Sequence, residues 1–372
     1  MRVFSILPGG VSESAVAPAA LPERGYVWIA CERSEFEQQQ ATIQASLRHL
    51  CGVSIVDLHV SDLLNQHLPS HFDYTSQYDI LVFRRLAAGH GETPQDITPA
   101  PAQRPKKGGP PVLRRIDTSP VGFALFDRVL LTVHPPGCTT LAHYASRLMS
   151  SGATDVRVSG AQIPASPADL MLRIVNHLVD GYLALRRELT RQLDHWQSEL
   201  LHPKARFNNW GALLEARIAL HHLDEICEDQ RSAILDWIEA LAEWEVVEPG
   251  TDHFGGHRGL ELLRVRSRDL LEHIQRVVHH VRQLEQNAEV AIQMHFSAQS
   301  NRTNDTMRTL TALTAIFLPL NLIAGIFGMN FEFIPLLHQK SGFWWAMGTM
   351  SLTAVVLSVV FWRKRYIAHS GR

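Results

Sequence analysis

The stretch TLTALTAIFLPLNLIAGIFGMNF, residues 309–331, decides the architecture of this 372-residue chain. A second apolar run, FWWAMGTMSLTAVVLSVVFW, covers residues 343–362, and neither run contains a charged residue. Each is about 20 residues long, the length at which a helix crosses the hydrocarbon core of a bilayer. Their place late in the chain is not that of a cleaved signal peptide. We therefore predict two membrane-spanning helices, with two buried helices of a soluble core as the alternative.

Basic residues beside the two runs predict their orientation. Arg302 and Arg308 precede the first run, and Arg-Lys-Arg at residues 363–365 follows the second. The loop between the runs carries Lys340 as its one Lys or Arg. Because Lys and Arg concentrate on the cytoplasmic side of a membrane, we expect both termini in the cytoplasm and the loop outside.

Composition limits the classes of function. The formal net charge is −2, and no basic face is visible, so nucleic acid is not an expected partner. The cysteines are scattered without a CxxC pair, which fits a reduced cytosolic domain without disulfides or a thiolate zinc site. We do not expect an enzyme. The four cysteines are Cys31, Cys51, Cys138 and Cys227.

The region before the apolar runs divides into a mixed part, residues 1–164, and a helical part. In the mixed part, runs rich in branched and aromatic residues predict strands, and a proline-rich stretch at 94–111 predicts a surface loop. Strands are predicted at 26–30, 78–83 and 129–133, a turn at 126–128, and helices at 35–50 and 60–64.

Three long helices are predicted after residue 165. Ser166 is suited to cap the first, with Pro167 in its first turn and Asp169 three residues after the cap. No proline interrupts the third until Pro319, inside the first apolar run. The predicted spans are 166–201, 210–248 and from 259 without a break to 328.

The third helix carries an apolar seam with the seven-residue spacing of a coiled coil. One interpretation is packing against the two preceding helices, and the other is self-association of several copies around an axis. Both can hold on different faces. The seam consists of Leu263, Leu270, Val277 and Leu284 in one line, with Ser267, Ile274, Val281 and Ala288 in the other.

Polar and small residues of the first span fall on one helical stripe. Polar side chains at membrane depth usually face a cavity or a neighbouring helix. Because one pair of spans cannot enclose a pore, conduction requires several copies, with this stripe lining the axis; the alternative is helix packing through small residues. The stripe consists of Asn304, Met307, Thr311, Thr314, Leu318, Asn321, Gly325 and Gly328.

Gly328, Met329 and Asn330 end the first span and are the predicted selectivity filter. A ring of Asn and backbone carbonyl oxygens offers dipoles without fixed negative charge, which suits a hydrated magnesium ion that gives up its waters reluctantly. Gly328 is expected in a tight turn that needs glycine's backbone freedom. Lower in the pore, the apolar side chains of Met307, Leu310 and Leu318 are predicted to gate by dewetting.

Residues 304–332 resemble the CorA family of divalent-cation channels. The resemblance rests on the segments MRTLT at 307–311, FLPL at 317–320, IAG at 323–325 and GMNFE at 328–332, and on the basic tail. It implies an α+β cytoplasmic domain followed by long helices and two C-terminal transmembrane helices, in a funnel-shaped homopentamer of a bacterial inner membrane. The implied parts are 1–164 (α/β), 165–257 (helices), 258–330 (stalk and first span), 331–342 (external loop), 343–362 (second span) and 363–372 (tail).

The resemblance also implies uptake of magnesium, often with cobalt or nickel, and gating by cytoplasmic magnesium. Segments 61–65 and 268–273 are similar to the family's acid-bearing helix and stalk. They imply a regulatory magnesium site between subunits, formed by Asp62 and Asp269. From the residues alone, each would be a solvated surface carboxylate.

Three departures from the family pattern concern the pore. The loop reads Ile-Pro-Leu-Leu at 334–337, which leaves Glu332 as its one carboxylate. Asn321 stands where a Thr is common, and Leu318 where a Met is common. These differences bear on conductance and on the choice of ion.

Histidine is unusually frequent, with 20 residues. Imidazole suits zinc, nickel and copper better than magnesium, although no His group here has the context of a strong site. His253 and His257 are four residues apart, and His273 and His280 share one face of the stalk. A zinc transporter of the ZntB branch therefore stays an alternative, as does a non-conducting membrane-anchored sensor or scaffold.

Overall fold

The computed structural model describes residues 1–88, 116–151, 163–201, 210–244, 256–329 and 342–363. The chain forms two compact units, Met1–Glu289 and Val290–Arg372. The first unit contains the mixed region together with the long helices up to Glu289. The change at residue 164 is therefore a change of secondary structure inside one packed body.

A seven-stranded mixed sheet forms the centre of the first unit, in the order β2-β1-β3-β9-β8-β5-β4. Strands β3 and β9 run parallel, and the other neighbours in this sheet are antiparallel. A separate two-stranded ribbon pairs β6 with β7. The strands are β1 Arg2–Leu7, β2 Gly10–Ser14, β3 Tyr26–Glu32, β4 His71–Tyr74, β5 Asp79–Arg84, β6 Ala87–Ala88, β7 Ile116–Asp117, β8 Pro120–Leu125 and β9 Val129–His134.

Helices cover both faces of this sheet. Along β3, Tyr26 and Trp28 enter a core shared with α4, α5, α6 and α7, whereas Val27 and Ile29 enter a second core shared with α1, α2 and α3. This alternation follows from the two-residue period of a strand. The helices are α1 Arg33–Gln38, α2 Gln40–Cys51, α3 Asp57–Leu64, α4 Thr139–Ser151, α5 Pro167–Leu201, α6 Trp210–Glu243, α7 Gly256–Phe327 and α8 Gly342–Arg363.

The three predicted strands are confirmed as β3, β5 and β9, and residues 126–128 form the predicted turn between β8 and β9. The helix predicted at 35–50 is two helices, because the chain leaves helical geometry at Gln39, where φ is −107° and ψ is 18°. Strands β1, β2, β4 and β8 and helix α4 were not predicted. The proline-rich stretch 94–111 lies outside the described residues.

The predicted start of α5 is confirmed in detail. The backbone N–H of Asp169 donates to Ser166 Oγ at 3.1 Å, and Asp169 Oδ2 accepts the N–H of Ala165 at 3.0 Å. Helix α5 ends at Leu201 as predicted. Helix α6 ends at Glu243 instead of the predicted Glu248, and residues 245–255 lie outside the described part. Helix α7 continues through Pro319 to Phe327, as expected.

The apolar seam of α7 is buried inside the chain's own first unit. Leu270 and Ile274 belong to the core that α5 and α6 share, and Trp237 Nε1 of α6 donates to Ser267 Oγ at 2.9 Å. All eight seam residues are buried. Packing against the preceding helices is therefore the correct interpretation of the seam. Any contact between copies uses a different face of α7.

The second unit contains the two predicted spans. Helix α8 covers the second apolar run, and the C-terminal part of α7 covers the first up to Phe327. Both are long and apolar enough to cross a membrane, and almost none of either apolar segment is buried. A core helix of a soluble protein would be mostly buried. This exposure disfavours the soluble-core alternative and favours helices whose surroundings are lipid and other protein.

Candidate ion pathway and regulatory acids

The polar stripe of the first span is exposed along its whole length. Within it, Met307 is 61% exposed and Leu318 is 67% exposed. Leu310, the other proposed gate residue, lies beside the stripe and is 61% exposed. Phe317 and Leu322, off the stripe, are exposed to a similar degree, at 55% and 63%. Polarity, and not exposure, therefore distinguishes the stripe from the other faces of α7. An apolar helix with one polar face needs water or polar neighbours on that face.

Two threonines of the stripe hold their hydroxyl protons within the helix. Thr311 Oγ1 donates to the carbonyl oxygen of Met307 at 2.8 Å, and Thr314 Oγ1 donates to that of Leu310 at 2.9 Å. A hydroxyl that donates to the helix still has a lone pair to offer. These threonines can therefore accept hydrogen bonds from water, including the hydration shell of a cation, without exposing an unsatisfied donor.

Pro319 leaves a backbone carbonyl oxygen, that of Ala315, without its usual donor, and Ala315 is next to Thr314 of the stripe. Proline has no N–H, so the carbonyl of Ala315 lacks the helical donor it would otherwise have at position 319. A free carbonyl in a membrane span is stable where it meets water, a side chain or another helix.

The end of the first span is described through Met329. The N–H of Gly328 donates to the carbonyl oxygen of Ala324 at 2.9 Å, and that of Met329 to Ile326 at 3.3 Å. The φ angle of Gly328 is not in the left-handed region, so the predicted need for a permissive backbone is wrong. Space is the constraint instead, because an added Cβ would lie 3.0 Å from the Ala324 oxygen. Asn330 and Glu332 lie outside the described residues.

Asp62 lies in α3 on a rigid support. Its side chain is 21% exposed, and Oδ2 lies 4.0 Å from His71 Nε2. On the same helix, buried His59 bonds the Tyr78 hydroxyl at 2.9 Å through Nδ1 and Asp73 Oδ2 at 3.1 Å through Nε2. These bonds join α3 to strand β4 and to the turn before β5, and they hold the helix that carries Asp62 against the edge of the sheet.

Asp269 lies on the exposed side of α7. Its side chain is 62% exposed, and Oδ1 is 3.9 Å from His273 Nε2. Among the described residues, no three His, Cys, Asp or Glu side chains are arranged to hold a metal ion. Asp62 therefore lies beside His71 and Asp269 beside His273, and their pairing between copies stays a prediction.

The stalk histidines serve the packing of α7 against α5. His273 Nδ1 lies 3.1 Å from Asn176 Oδ1, and His280 Nδ1 lies 2.7 Å from the Tyr182 hydroxyl. These contacts give both imidazoles a structural role and do not support a zinc or nickel site on this face. His253 lies outside the described residues.

An anchor that the sequence did not reveal joins the start of α5 to α7. The Asp169 carboxylate is buried and binds Arg173 Nη2 at 3.1 Å and also Arg266 of α7. Asp169 was predicted only as an acid of the first helical turn. The sequence gives little sign of the contact between Asp169 and Arg266, because Arg266 is one of several arginines on α7.

Comparisons with known proteins agree with this architecture. Residues 24–365 match the model of the family described as CorA-like Mg²⁺ transporter protein. The chain is 27% identical over 219 residues to the cobalt/magnesium transport protein CorA of Thermotoga maritima. That alignment covers 57% of this chain and 56% of the relative, so it spans about half of each.

Two solved structures resemble the fold. The complete CorA magnesium transporter from Methanocaldococcus jannaschii superposes with a TM-score of 0.67 at 17% identity, covering 98% of each chain. The ZntB cytoplasmic domain from Vibrio parahaemolyticus superposes with a TM-score of 0.52 at 14% identity, covering 82% of this chain and 98% of that domain. At these identities, the likeness concerns the fold alone.

Proposed function

The chain belongs to the family of CorA-like Mg²⁺ transporter proteins, and we propose that it carries divalent metal cations across a membrane, with magnesium as the main ion. The observation that carries the proposal is the exposed polar stripe on an otherwise apolar span that leads to Gly-Met-Asn at 328–330. A span that serves only as a membrane anchor does not need a polar stripe at membrane depth. A conduction path needs it.

Several copies must cooperate in this function. One chain contributes two spans, and the stripe residues of a single α7 have no partners across an axis. A homopentamer, as the resemblance implies, would place five stripes around one pore. Native mass spectrometry in mild detergent tests this stoichiometry, and a species no larger than a dimer would contradict it.

The ion would pass as a hydrated cation. Thr311 and Thr314 offer acceptor lone pairs, and Asn321 offers an amide oxygen, to the waters around the ion. At the mouth, Asn330 would add a ring of neutral oxygens that holds magnesium without binding it too tightly to leave. Cobalt and nickel share this charge and are expected as secondary substrates.

Regulation is proposed to reside in the first unit. Asp62 and Asp269 are surface carboxylates on different helices, and bringing them together between neighbouring copies without a cation costs electrostatic repulsion. A divalent ion bound there would favour the closed assembly and release it when cytoplasmic magnesium falls. We further propose a bacterial inner membrane as the location, with both termini in the cytoplasm.

The decisive experiment measures flux. Purified protein in liposomes loaded with a magnesium-sensitive dye should admit magnesium down its gradient, with cobalt and nickel entering in parallel assays. Zinc uptake without magnesium uptake would favour the ZntB alternative. The absence of flux for all four ions in correctly assembled protein would leave the non-conducting sensor. An imposed proton gradient in the same assay separates passive from proton-coupled transport.

A further inference from the structure

At the centre of the sheet, two adjacent parallel strands, β3 and β9, lead into helices on opposite faces. Parallel neighbours β3 and β9 end side by side, with Glu32 paired to His134. After β3 the chain enters α1 on one face of the sheet, and after β9 it enters α4 on the opposite face. When adjacent parallel strands send their helices to opposite faces, a crevice opens at their carboxyl ends, and such crevices are common ligand sites.

A cavity of about 310 Å³ occupies this crevice. Its floor is apolar and includes Phe4, Trp28 and Leu141, while Glu32, Glu35 and His134 stand on its polar side. The volume is at the lower end of the range for small-molecule sites. An apolar floor with a few polar groups at one side is the usual plan of such a site.

The carboxylates are held in place by the turn that forms the crevice. Glu35 Oε2 accepts the N–H of Glu32 at 3.1 Å, and Glu32 Oε1 accepts the N–H of Gly137 at 3.2 Å. Each carboxylate oxygen has a second lone pair. Glu35 also binds an ammonium group in this chain, because the amino nitrogen of Met1 lies 2.7 Å from its Oε1.

His134 adds a neutral acceptor to this side. Its Nδ1 lies 3.0 Å from the carbonyl oxygen of Pro135, which can only accept, so Nδ1 carries the proton and Nε2 offers a lone pair. Burial lowers the pKa of His134, although Glu32 and Glu35 oppose this shift. The imidazole is therefore neutral at physiological pH.

Positive charge available to an anion is scarce here. Among the described residues that line the cavity, Arg2 is the one Lys or Arg, and its Nε donates to Glu13 Oε1 at 2.7 Å. Its guanidinium carbon also lies 5.0 Å from the centre of the Phe4 ring. The Met1 amino group, which also lines the cavity, is paired with Glu35. An anionic ligand would face two carboxylates and two cations that already have partners, whereas an ammonium group would find acceptors at Glu32 and His134.

We propose that the crevice between the ends of β3 and β9 binds a small organic ammonium ion, with its charged group at Glu32 and His134 and its apolar body against the floor at Trp28 and Leu141. This site is separate from the proposed ion pathway and does not depend on conduction. Its ligand class is a primary amine with a short apolar or aromatic body.

The test uses ligand-observed NMR titration of the full-length protein in detergent with phenethylamine as the probe. Phenylacetate, which has the same aromatic body and the opposite charge, is the matched probe. Glu32→Gln removes the carboxylate charge, and Ala142→Trp fills the cavity from an exposed position of α4. Glu37→Gln, an exposed position of the same α1 helix that does not line the cavity, is the control variant.

Saturable phenethylamine binding and no saturable phenylacetate binding are expected for the wild type. Because a hydrogen bond to a charged group is lost, Glu32→Gln should weaken binding by about tenfold or more. Ala142→Trp should abolish binding, and Glu37→Gln should leave it unchanged. Lack of saturation in the wild type, equal binding of phenylacetate, or unchanged binding in Ala142→Trp would each overturn the proposal. Magnesium flux measured on the same preparations reports the transport function independently.

Discussion

The two units of this chain differ in the exposure of their large apolar side chains. In Met1–Glu289, Trp28 and Trp237 are 0% exposed, whereas in Val290–Arg372, Trp344 is 74% exposed and Leu318 is 67% exposed. Burial of apolar surface is the main favourable contribution to folding in water. The first unit therefore obtains its stability from its own chain, and the second requires surroundings that the single chain does not provide.

This difference in exposure predicts different effects of substitutions in the two units. In the first unit, a residue's neighbours are other parts of the same chain, so a core substitution should act on stability. In the second, an α7 side chain has few neighbours from its own chain, so we expect a substitution to act on the proposed assembly and flux.

Asn330→Ala has the largest expected effect. It removes one amide from every copy at the mouth of the proposed pore, and each lost hydrogen bond to a cation's shell is costly. Magnesium flux into liposomes should fall by about 100-fold or more, while native mass spectrometry shows the wild-type oligomer. Asn287→Ala, at an exposed position of α7 in the first unit, is the matched control and should conduct normally. Wild-type flux through Asn330→Ala would remove Asn330 from the filter.

Trp237→Ala should act on the first unit alone. Its ring is fully buried, and its Nε1 donates to Ser267 Oγ at 2.9 Å. The ring also packs edge-to-face against Phe72 and Trp244, with distances between ring centres of 5.7 and 5.5 Å. Loss of such a side chain costs about 3–5 kcal/mol of the free energy of unfolding.

Denaturant titration followed by near-ultraviolet circular dichroism measures that loss. Trp344→Ala is the matched control, since exposed positions usually change the free energy of unfolding by less than about 0.5 kcal/mol. Equal destabilisation by both substitutions would contradict the contrast between the units.

The elements predicted best from the sequence were the central strands, which are buried on both faces, and the two spans, which are hardly buried in the chain at all. Strands β3, β5 and β9 are continuous apolar runs because both faces of the sheet are covered. The two spans are recognisable as long runs without charge, although almost none of either is buried in the chain. Edge strand β2, Gly10–Ser14, is mostly exposed and carries no such signal. The break at Gln39, which is the C-cap of α1 and the N-cap of α2, could not be predicted from helical periodicity, because no proline or glycine marks it.

The candidate sites were predictable only where one segment contains them. The polar stripe of the first span lies on one helix, so its spacing reveals it. The crevice at Glu32 and His134 requires strands about a hundred residues apart to become parallel neighbours, which periodicity does not encode. The proposed pairing of Asp62 with Asp269 would depend on contacts between copies, which the sequence of one chain does not encode. The seam of α7 was ambiguous because heptad spacing serves packing within a chain as well as between chains.

Substitution of Met307 or Leu310 by Ser should open the proposed gate. Both side chains are exposed in the single chain and would narrow the pore of an assembly, and a hydroxyl makes such a constriction easier to wet. Basal leak of magnesium should rise roughly three- to tenfold. Leu313→Ser, on another face of the same helix and 52% exposed, is the control and should leak like the wild type. Unchanged leak in both gate variants would place the gate elsewhere.

Replacing Asp62 and Asp269 together by Asn should weaken regulation while leaving the fold intact. The amides keep the shape and remove the charge that a divalent ion would neutralise. The magnesium concentration that protects the first unit from protease should rise several-fold, and internal magnesium should inhibit flux less. Asp57→Asn with Asp236→Asn, both at exposed positions, provides a charge-matched control. Wild-type protection and inhibition in the Asp62 and Asp269 double variant would exclude this pair as the sensor.

The smallest expected effect concerns pH and the contact between α5 and α7. Burial, followed by Arg186 and His279, lowers the pKa of His280 below its ordinary value of 6.5. Burial raises the pKa of Tyr182, so its hydroxyl stays protonated and donates to His280 Nδ1 at 2.7 Å. Protonation of His280 would reverse this bond, with Nδ1 donating to the Tyr182 oxygen, and would place a charge at a half-buried position near Arg186 and His279. The environment of this contact therefore favours the neutral imidazole.

The sign of the pH dependence follows from this lowered pKa. Below pH 6.5 the unfolded chain binds a proton at His280 more readily than the folded chain does, so the contribution of this contact is present above that pH and is lost as the pH falls through the folded-state pKa. The denaturant midpoint of the first unit should be lower at about pH 5.5 than at about pH 7.5. His280→Gln should reduce this difference without abolishing it, because burial also lowers the pKa of His134 and His177. His67→Gln, at an exposed turn, should leave it unchanged. An unaltered pH dependence in His280→Gln would show that the contact does not respond to protonation, and the second unit should give no such response to this substitution in either case.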